Sequence, residues 1–154
     1  MIYRSIHNLV EDQLIVSITP EASVHQAAVL MTRHRIGALP VMRGTDLIGI
    51  FTERDLVSRV VAPRLDLDHT LMAQVMTETP QTIAPDKPLY EALNLMYDHG
   101  FRHLPVMNDE QLVAMLSLRD IPTEYRLMRE KWIEAHQPLN TGLTHEINRK
   151  TPNQ

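Results

Sequence analysis

An α+β fold built from two copies of one small unit is what this chain of 154 residues predicts. Three observations carry the prediction. The stretch Gly37-Ala-Leu-Pro-Val-Met-Arg-Gly-Thr-Asp-Leu-Ile-Gly-Ile-Phe-Thr-Glu-Arg-Asp55 returns without a gap as Arg102-His-Leu-Pro-Val-Met-Asn-Asp-Glu-Gln-Leu-Val-Ala-Met-Leu-Ser-Leu-Arg-Asp120, and the same 65-residue shift carries Pro20 onto Pro85, Ala27 onto Ala92, Met31 onto Met96 and His34 onto His99. Within each copy the apolar pattern runs strand, helix, strand, strand, helix. A unit of roughly 60 residues is marginal alone, so the halves are expected to pack on each other.

Taken in order, residues from Tyr3 to Asp12 put Ile6, Leu9 and Val10 at helical spacing, which predicts a short amphipathic lead-in helix. Leu14-Ile-Val-Ser-Ile18 is rich in β-branched residues and reads as a strand closed by Thr19-Pro20. Ser23 is an N-cap for a helix with Val24, Ala27, Ala28, Leu30 and Met31 on one face, ending near Arg35 with Gly37 as its stop. Ala38 to Met42 is a strand containing Pro40, whose missing N–H predicts an edge with backbone left free for something other than a neighbouring strand. After a turn at Arg43-Gly44-Thr45-Asp46, the apolar run from Leu47 to Phe51 predicts a buried strand, and Thr52 caps the next helix with Asp55 three residues on.

The proline-broken segment from Ala62 to His69 reads as the linker, and Thr70 to Val75 as a short helix. The second copy repeats the order: a strand around Thr82 and Ile83, a helix from Pro88 to His99 stopped by Gly100, strands from His103 to Met107 and Leu112 to Leu116, and a cap at Ser117. Pro122 then breaks the chain before a last helix with Tyr125, Met128, Trp132 and Ala135 on one stripe. The expected organisation is a first unit at 10–62, linker and short helix at 63–74, a second unit at 75–121, a C-terminal helix at 122–136 and a disordered polar tail at 137–154.

Composition narrows the function. A net charge of −4 without clustered Lys or Arg argues against nucleic-acid binding. The absence of cysteine removes disulfides and thiolate metal sites and fits a cytoplasmic location. No apolar run reaches the length of a membrane span, and Met-Ile-Tyr-Arg-Ser-Ile-His lacks the form of a signal peptide, so no membrane association is expected. Eight histidines suggest a metal site, but none forms a His-Glu-x-x-His pattern and Gly100 separates His99 from His103, so none is expected. There is no Gly-x-Ser-x-Gly elbow and no Gly-x-x-x-x-Gly-Lys loop, and we expect no catalytic residues.

What the copies do repeat is a hydroxyl and a carboxylate three residues apart at a strand-to-helix junction: Thr52 with Asp55, and Ser117 with Asp120. A hydroxyl at a helix start can meet a phosphate, where free backbone N–H groups favour an anion. An ionised carboxylate can accept from both hydroxyls of a ribose. Arg54 and Arg119 add a cation beside each pair. For a single copy, a plain capping box explains the same residues. Two copies in register, each behind Leu-Pro-Val, strengthen the ligand reading.

From about residue 10 to 121, through Ile-Gly-Ala-Leu-Pro-Val-Met, Leu-Ile-Gly-Ile-Phe-Thr-Glu-Arg-Asp-Leu and their second copies, the chain resembles the cystathionine-β-synthase (CBS) domain family in its tandem form. The resemblance implies two β-α-β-β-α repeats packed through their sheets as a pseudo-two-fold pair, with two clefts that take an adenosine compound such as AMP, ADP, ATP, NAD or S-adenosylmethionine. It implies that Asp55 and Asp120 hold ribose and that Thr52, Ser117, Arg54 and Arg119 lie near phosphate. Ile36, Gly37 and Ala38, and Phe101, Arg102 and His103, would frame adenine, with Leu39, Pro40, Leu104 and Pro105 lining the clefts. Arg102 and His103 replace Gly37 and Ala38 in the second copy, so the sites are expected to differ, with phosphates nearer the charged pair. Ala114 in place of Gly49 is expected to restrict backbone approach at the second site.

The resulting expectation is a regulatory module that catalyses nothing, binds an adenosine ligand, assembles as a homodimer and signals to an effector protein that the sequence does not identify. The alternative is a ligand-independent interaction scaffold that regulates an enzyme or transporter. A regulatory insert of an IMP dehydrogenase is disfavoured, because neither flank has the length of a catalytic domain.

Overall fold

The computed structural model describes residues 5–136, so the expected tail lies outside the described residues. The order is α1 (His7–Val10), α2 (Val24–His34), β1 (Ala38–Arg43), β2 (Asp46–Thr52), α3 (Glu53–Asp55) running into a π-helical stretch (Leu56–Val61), α4 (Met72–Val75), β3 (Thr77–Glu78), α5 (Leu89–His99), β4 (His103–Asn108), β5 (Gln111–Ser117), a 3-10 turn (Leu118–Asp120) and α6 (Thr123–His136). The architecture is the expected α+β pair: β1-β2-β3 form one sheet, β4-β5 the other, and the halves meet through β2 and β5. No helix among the described residues is long and apolar enough to cross a membrane.

Local chemistry accounts for the element ends. Ser23 and Gln26 form a reciprocal box at the start of α2, Ser23 N donating to Gln26 Oε1 at 2.9 Å and Gln26 N to Ser23 Oγ at 3.2 Å. Gly100 closes α5 in the left-handed conformation (φ 73°), but α2 closes on Arg35 (φ 53°) rather than on Gly37 as the sequence predicts. Pro122 separates the 3-10 turn from α6, as expected.

The two outer strands shrink to single parallel bridges, Ile18 to Val41 and Ile83 to Val106, instead of the strands expected at Leu14–Ile18 and around Ile83. The prolines explain it. Ile18 N donates to Pro40 O at 3.1 Å and Met42 N to Ile18 O at 2.8 Å, with the same pair at Ile83, Pro105 and Met107. A ladder extended two residues back would need an N–H at position 40 or 105, and proline has none. The backbone flanking Pro40 is therefore engaged by Ile18 and not left free.

Each hydrophobic core is completed by a helix from the other copy. Met72 and Val75 of α4 are buried with Val24, Leu39, Val41 and Phe51, whereas Ile6 and Val10, around α1, are buried with Leu89, Leu93, Leu104 and Leu116. Backbone bonds hold the exchange: Met72 N to Ala22 O at 2.8 Å, and Ile6 N to Lys87 O at 3.0 Å. Burying such side chains contributes about 1.5–3 kcal/mol each, which ties the halves into one unit.

Gly49 has a different role from the one expected. A Cβ there would lie 2.5 Å from Met76 Sδ and 3.0 Å from Thr77 O, so the glycine admits β3 against β2, where it pairs with Glu78. Its counterpart Ala114 is buried in the second core, and that sheet has no third strand among the described residues. There the amide of Gln13 serves instead, donating to Met115 O at 3.0 Å and accepting from Met115 N at 2.7 Å. Gly49→Ala should therefore destabilise the fold by about 1–3 kcal/mol through overpacking; an unchanged urea midpoint would show that β3 yields freely.

Candidate functional site

Both hydroxyl-and-acid pairs fold as capping boxes. Thr52 N donates to Asp55 Oδ2 at 2.9 Å, Asp55 N to Thr52 Oγ1 at 3.2 Å and Thr52 Oγ1 to Asp55 Oδ2 at 3.0 Å. In the second copy Ser117 N donates to Asp120 Oδ2 at 2.8 Å and Arg119 N to Ser117 Oγ at 3.3 Å. The carboxylates differ in freedom. Asp55 is further engaged by Arg59 Nε, 3.5 Å from its Oδ1, with its side chain only 13% exposed, whereas Asp120 is exposed.

Each box opens onto a cleft whose far wall comes from the other copy. The first cleft, about 510 Å³, places Thr52, Arg54 and Asp55 with Phe101, Arg102, His103 and Pro105. The second, about 610 Å³, places Ser117, Arg119 and Asp120 with Ile36, Gly37 and Ala38. Both volumes fall within the range of small-molecule sites. Pro40 lines neither cleft: it is buried opposite Ile50, with its carbonyl bonded to Ile18. Leu39 and Leu104, expected at the cleft walls, are wholly buried in the two cores because strand alternation turns them inward.

Gly37, Glu53, Arg102 and His103 line both clefts and so form their common wall. A Cβ on Gly37 would lie 3.2 Å from the His103 ring and 3.3 Å from Glu53 Oε2, so the glycine makes room for the imidazole. Burial pushes the His103 pKa below its ordinary value, with Arg119 and Arg102 acting the same way and Glu53 and Asp120 opposing. The cations are also unevenly committed. Arg54 crosses the first cleft to donate to Gly100 O at 2.6 Å, and Arg59, besides contacting Asp55, donates to Met76 O at 2.9 Å.

Sequence reasoning missed several lining residues: Arg59, Thr77, Thr79, Pro80, Gln81 and His99 in the first cleft, and Gln13 to Val16, Arg35 and Arg126 in the second, with Glu53 in both. Segments 13–16 and 77–81 reach their clefts only through the exchange of leading segments, for which no local signal exists. Arg126 lies on α6, and its position in the first copy is held by Val61 of the π-helical stretch, so the repeat carries no signal for it. A shallower, mainly apolar groove of about 810 Å³ lies along the outer face of α2, around Ala22, Val29 and Leu30, and holds neither motif. No group of His, Cys, Asp or Glu among the described residues is placed to hold a metal ion.

Because the folded chain disfavours charging His103, protonation favours the unfolded state. Stability then rises with pH through the window below about 6.5 and falls as the medium is acidified through it. His103→Gln should flatten the decline between about pH 7 and pH 5. Denaturant titrations at stepped pH check this, and an unaltered slope would remove His103 as a source.

The family model described as the CBS domain matches residues 12–62 and 72–124, which is most of the chain and both copies. The CBS domain-containing protein YhcV of Bacillus subtilis is 32% identical over 107 residues, covering 70% of this chain and 76% of that protein. The mitochondrial CBSX3 of Arabidopsis thaliana is 32% identical over 108 residues, covering 67% of this chain but only 52% of the relative, and CBSCBSPB1 of the same plant is matched over 20% of its length. Among solved structures, the CBS domain protein PAE2072 from Pyrobaculum aerophilum complexed with AMP superposes with a TM-score of 0.73 at 27% identity, over 82% of this chain and 97% of that one. A proposed signal-transduction protein with CBS domains from Burkholderia ambifaria superposes with a TM-score of 0.73 at 28% identity, over 88% and 98%. CBS pairs are regulatory or signal-transduction modules. On the duplicated motif, the shared fold and the match to both halves, this chain belongs to the CBS-domain family.

Proposed function

We propose that the chain is a regulatory module that binds an adenosine-containing ligand in its clefts, catalyses no reaction, and transmits occupancy as a change in conformation or assembly. The observation that carries this reading is that each hydroxyl-and-acid box faces a loop of the other copy across a cleft of ligand size. AMP in the Pyrobaculum protein supports an adenosine ligand, with AMP, ADP, ATP, NAD and S-adenosylmethionine as the class. Asp55 and Asp120 would accept from ribose hydroxyls. Phosphates would lie toward Arg102 and His103, and the base toward Gly37 and Ala38. Occupancy acts by its differential affinity for two arrangements of the chain. A homodimer in the cytoplasm, unassociated with membrane or nucleic acid, completes the reading.

A second reading, a protein-interaction scaffold, is favoured by one feature: Leu127, Met128 and Trp132 on α6 are 50%, 43% and 63% exposed. A thermal-shift panel separates the two. Adenosine compounds, but not guanosine or pyrimidine ones, should raise the melting temperature by mass action; no shift with any of them would leave the scaffold.

Because the acids also cap, substitution by Asn rather than Ala keeps an oxygen for the backbone N–H. Asp55→Asn and Asp120→Asn should each weaken binding at their own cleft by about 1–3 kcal/mol with little change in melting temperature. Calorimetric affinities unchanged in both variants would take these residues out of the site.

A further inference from the structure

We propose that the second cleft holds a subsite for a phosphate chain of two or more units, and that Arg126 ties its occupancy to the position of α6. The inference rests on the adenosine reading for the ligand's other half. Four arginines from four separate segments line this cleft: Arg35 at the end of α2, Arg102 before β4, Arg119 in the 3-10 turn and Arg126 in the first turns of α6. The acids in the same lining are Glu53 and Asp120.

Among the described residues, the guanidinium groups of Arg35, Arg102 and Arg119 make no hydrogen bond or ion pair to the protein. Arg126 donates once, from Nη2 to Thr123 Oγ1 at 3.2 Å, and its Nε is buried without a partner. A buried donor left unsatisfied is costly, and several uncompensated guanidinium groups around one concavity match the bidentate acceptors of phosphate. The first cleft shows the opposite condition. Arg54 is already bonded to Gly100 O, and Arg59 to Met76 O and beside Asp55, which leaves Arg102 as its unengaged arginine. The motif residues therefore equip both clefts for a nucleoside, while beyond the shared Arg102 only the second has arginines to spare for an extended phosphate chain.

Arg126 gives that difference a consequence. It belongs to α6, which buries no residue fully: Tyr125 packs partly buried against the second core, and Arg129 holds the helix to α5 through Asn94 at 3.0 Å, Asp98 at 3.5 Å and the face of Tyr97 at 4.3 Å. A phosphate bonded to Arg126 would add a tether between α6 and the body beyond the contacts the protein itself makes.

Calorimetry of the full chain with ATP, ADP, AMP and inorganic triphosphate, together with hydrogen exchange across 123–136, tests this. ATP and ADP should bind more tightly than AMP. Arg126→Gln should weaken ATP by about tenfold while leaving AMP within about twofold, with Arg126→Lys intermediate. ATP should slow exchange in α6 of the wild-type chain but not of Arg126→Gln. Equal losses for ATP and AMP, or none, would overturn the subsite and leave the adenosine reading standing. Triphosphate bound through Arg126 while no adenosine compound binds would do the reverse. Slowed exchange that persists in Arg126→Gln would overturn the tether.

Discussion

The structure depends on the crossing of the two leading segments. Ile6 and Met72 are wholly buried, each in the core of the half that the other copy builds. The same crossing that fills the cores also supplies a wall to each cleft: 13–16 stand beside the second box, and 77–81 beside the first. Cleft walls and core packing are thus two results of one chain path. Neither half could open far from the other without exposing the helix it borrows, so the clefts sit on a scaffold that resists large separations.

On that scaffold the duplication is deliberately unequal in its chemistry. Gly37 and Ala38 on one side correspond to Arg102 and His103 on the other, and Glu53 corresponds to Leu118. The larger residues of one copy occupy the room left by the smaller ones of its twin: the His103 ring reaches the place a Gly37 side chain would fill. One imidazole, one carboxylate and one guanidinium are therefore seen from both clefts. A ligand that moved any of them would change the field and the space on the far side, a physical route by which one cleft would sense the other.

Much of this was legible from sequence because it is local. The register of the copies, the caps at Ser23, Thr52 and Ser117, the Gly100 stop and the restart after Pro122 each follow from a few neighbouring residues. What escaped is what depends on distant contacts. The strand at Leu14–Ile18 has the right composition but meets a proline that refuses its ladder. Gly49 admits β3 rather than a ligand, and Leu39, Pro40 and Leu104 face the cores or a strand neighbour rather than the clefts, because strand pairing and core packing are set by residues far away in sequence. Gln13 and Arg126 carried no signal, since neither has a counterpart that does the same work in the other copy.

In the proposed reading the acids would serve twice, as caps and as ribose acceptors, which would limit how a signal leaves the site. Asp55 and Asp120 are held by backbone N–H groups in the protein alone, which would lower the ordering entropy lost on binding. By the same bond, the turns they cap are already formed, so ligand binding gains little by folding them. The part that a modest differential affinity can reposition must be one with little buried area of its own. Among the described elements that extend beyond the duplicated unit, α6 meets this condition: none of its residues is fully buried, Tyr125 packs only partly buried against the second core, and Arg129 bonds it to α5. In the proposed reading, a fold fixed at the acids and held by few contacts at its final helix would separate recognition from response, and the second cleft, which Arg126 of that helix lines, would be where the two meet.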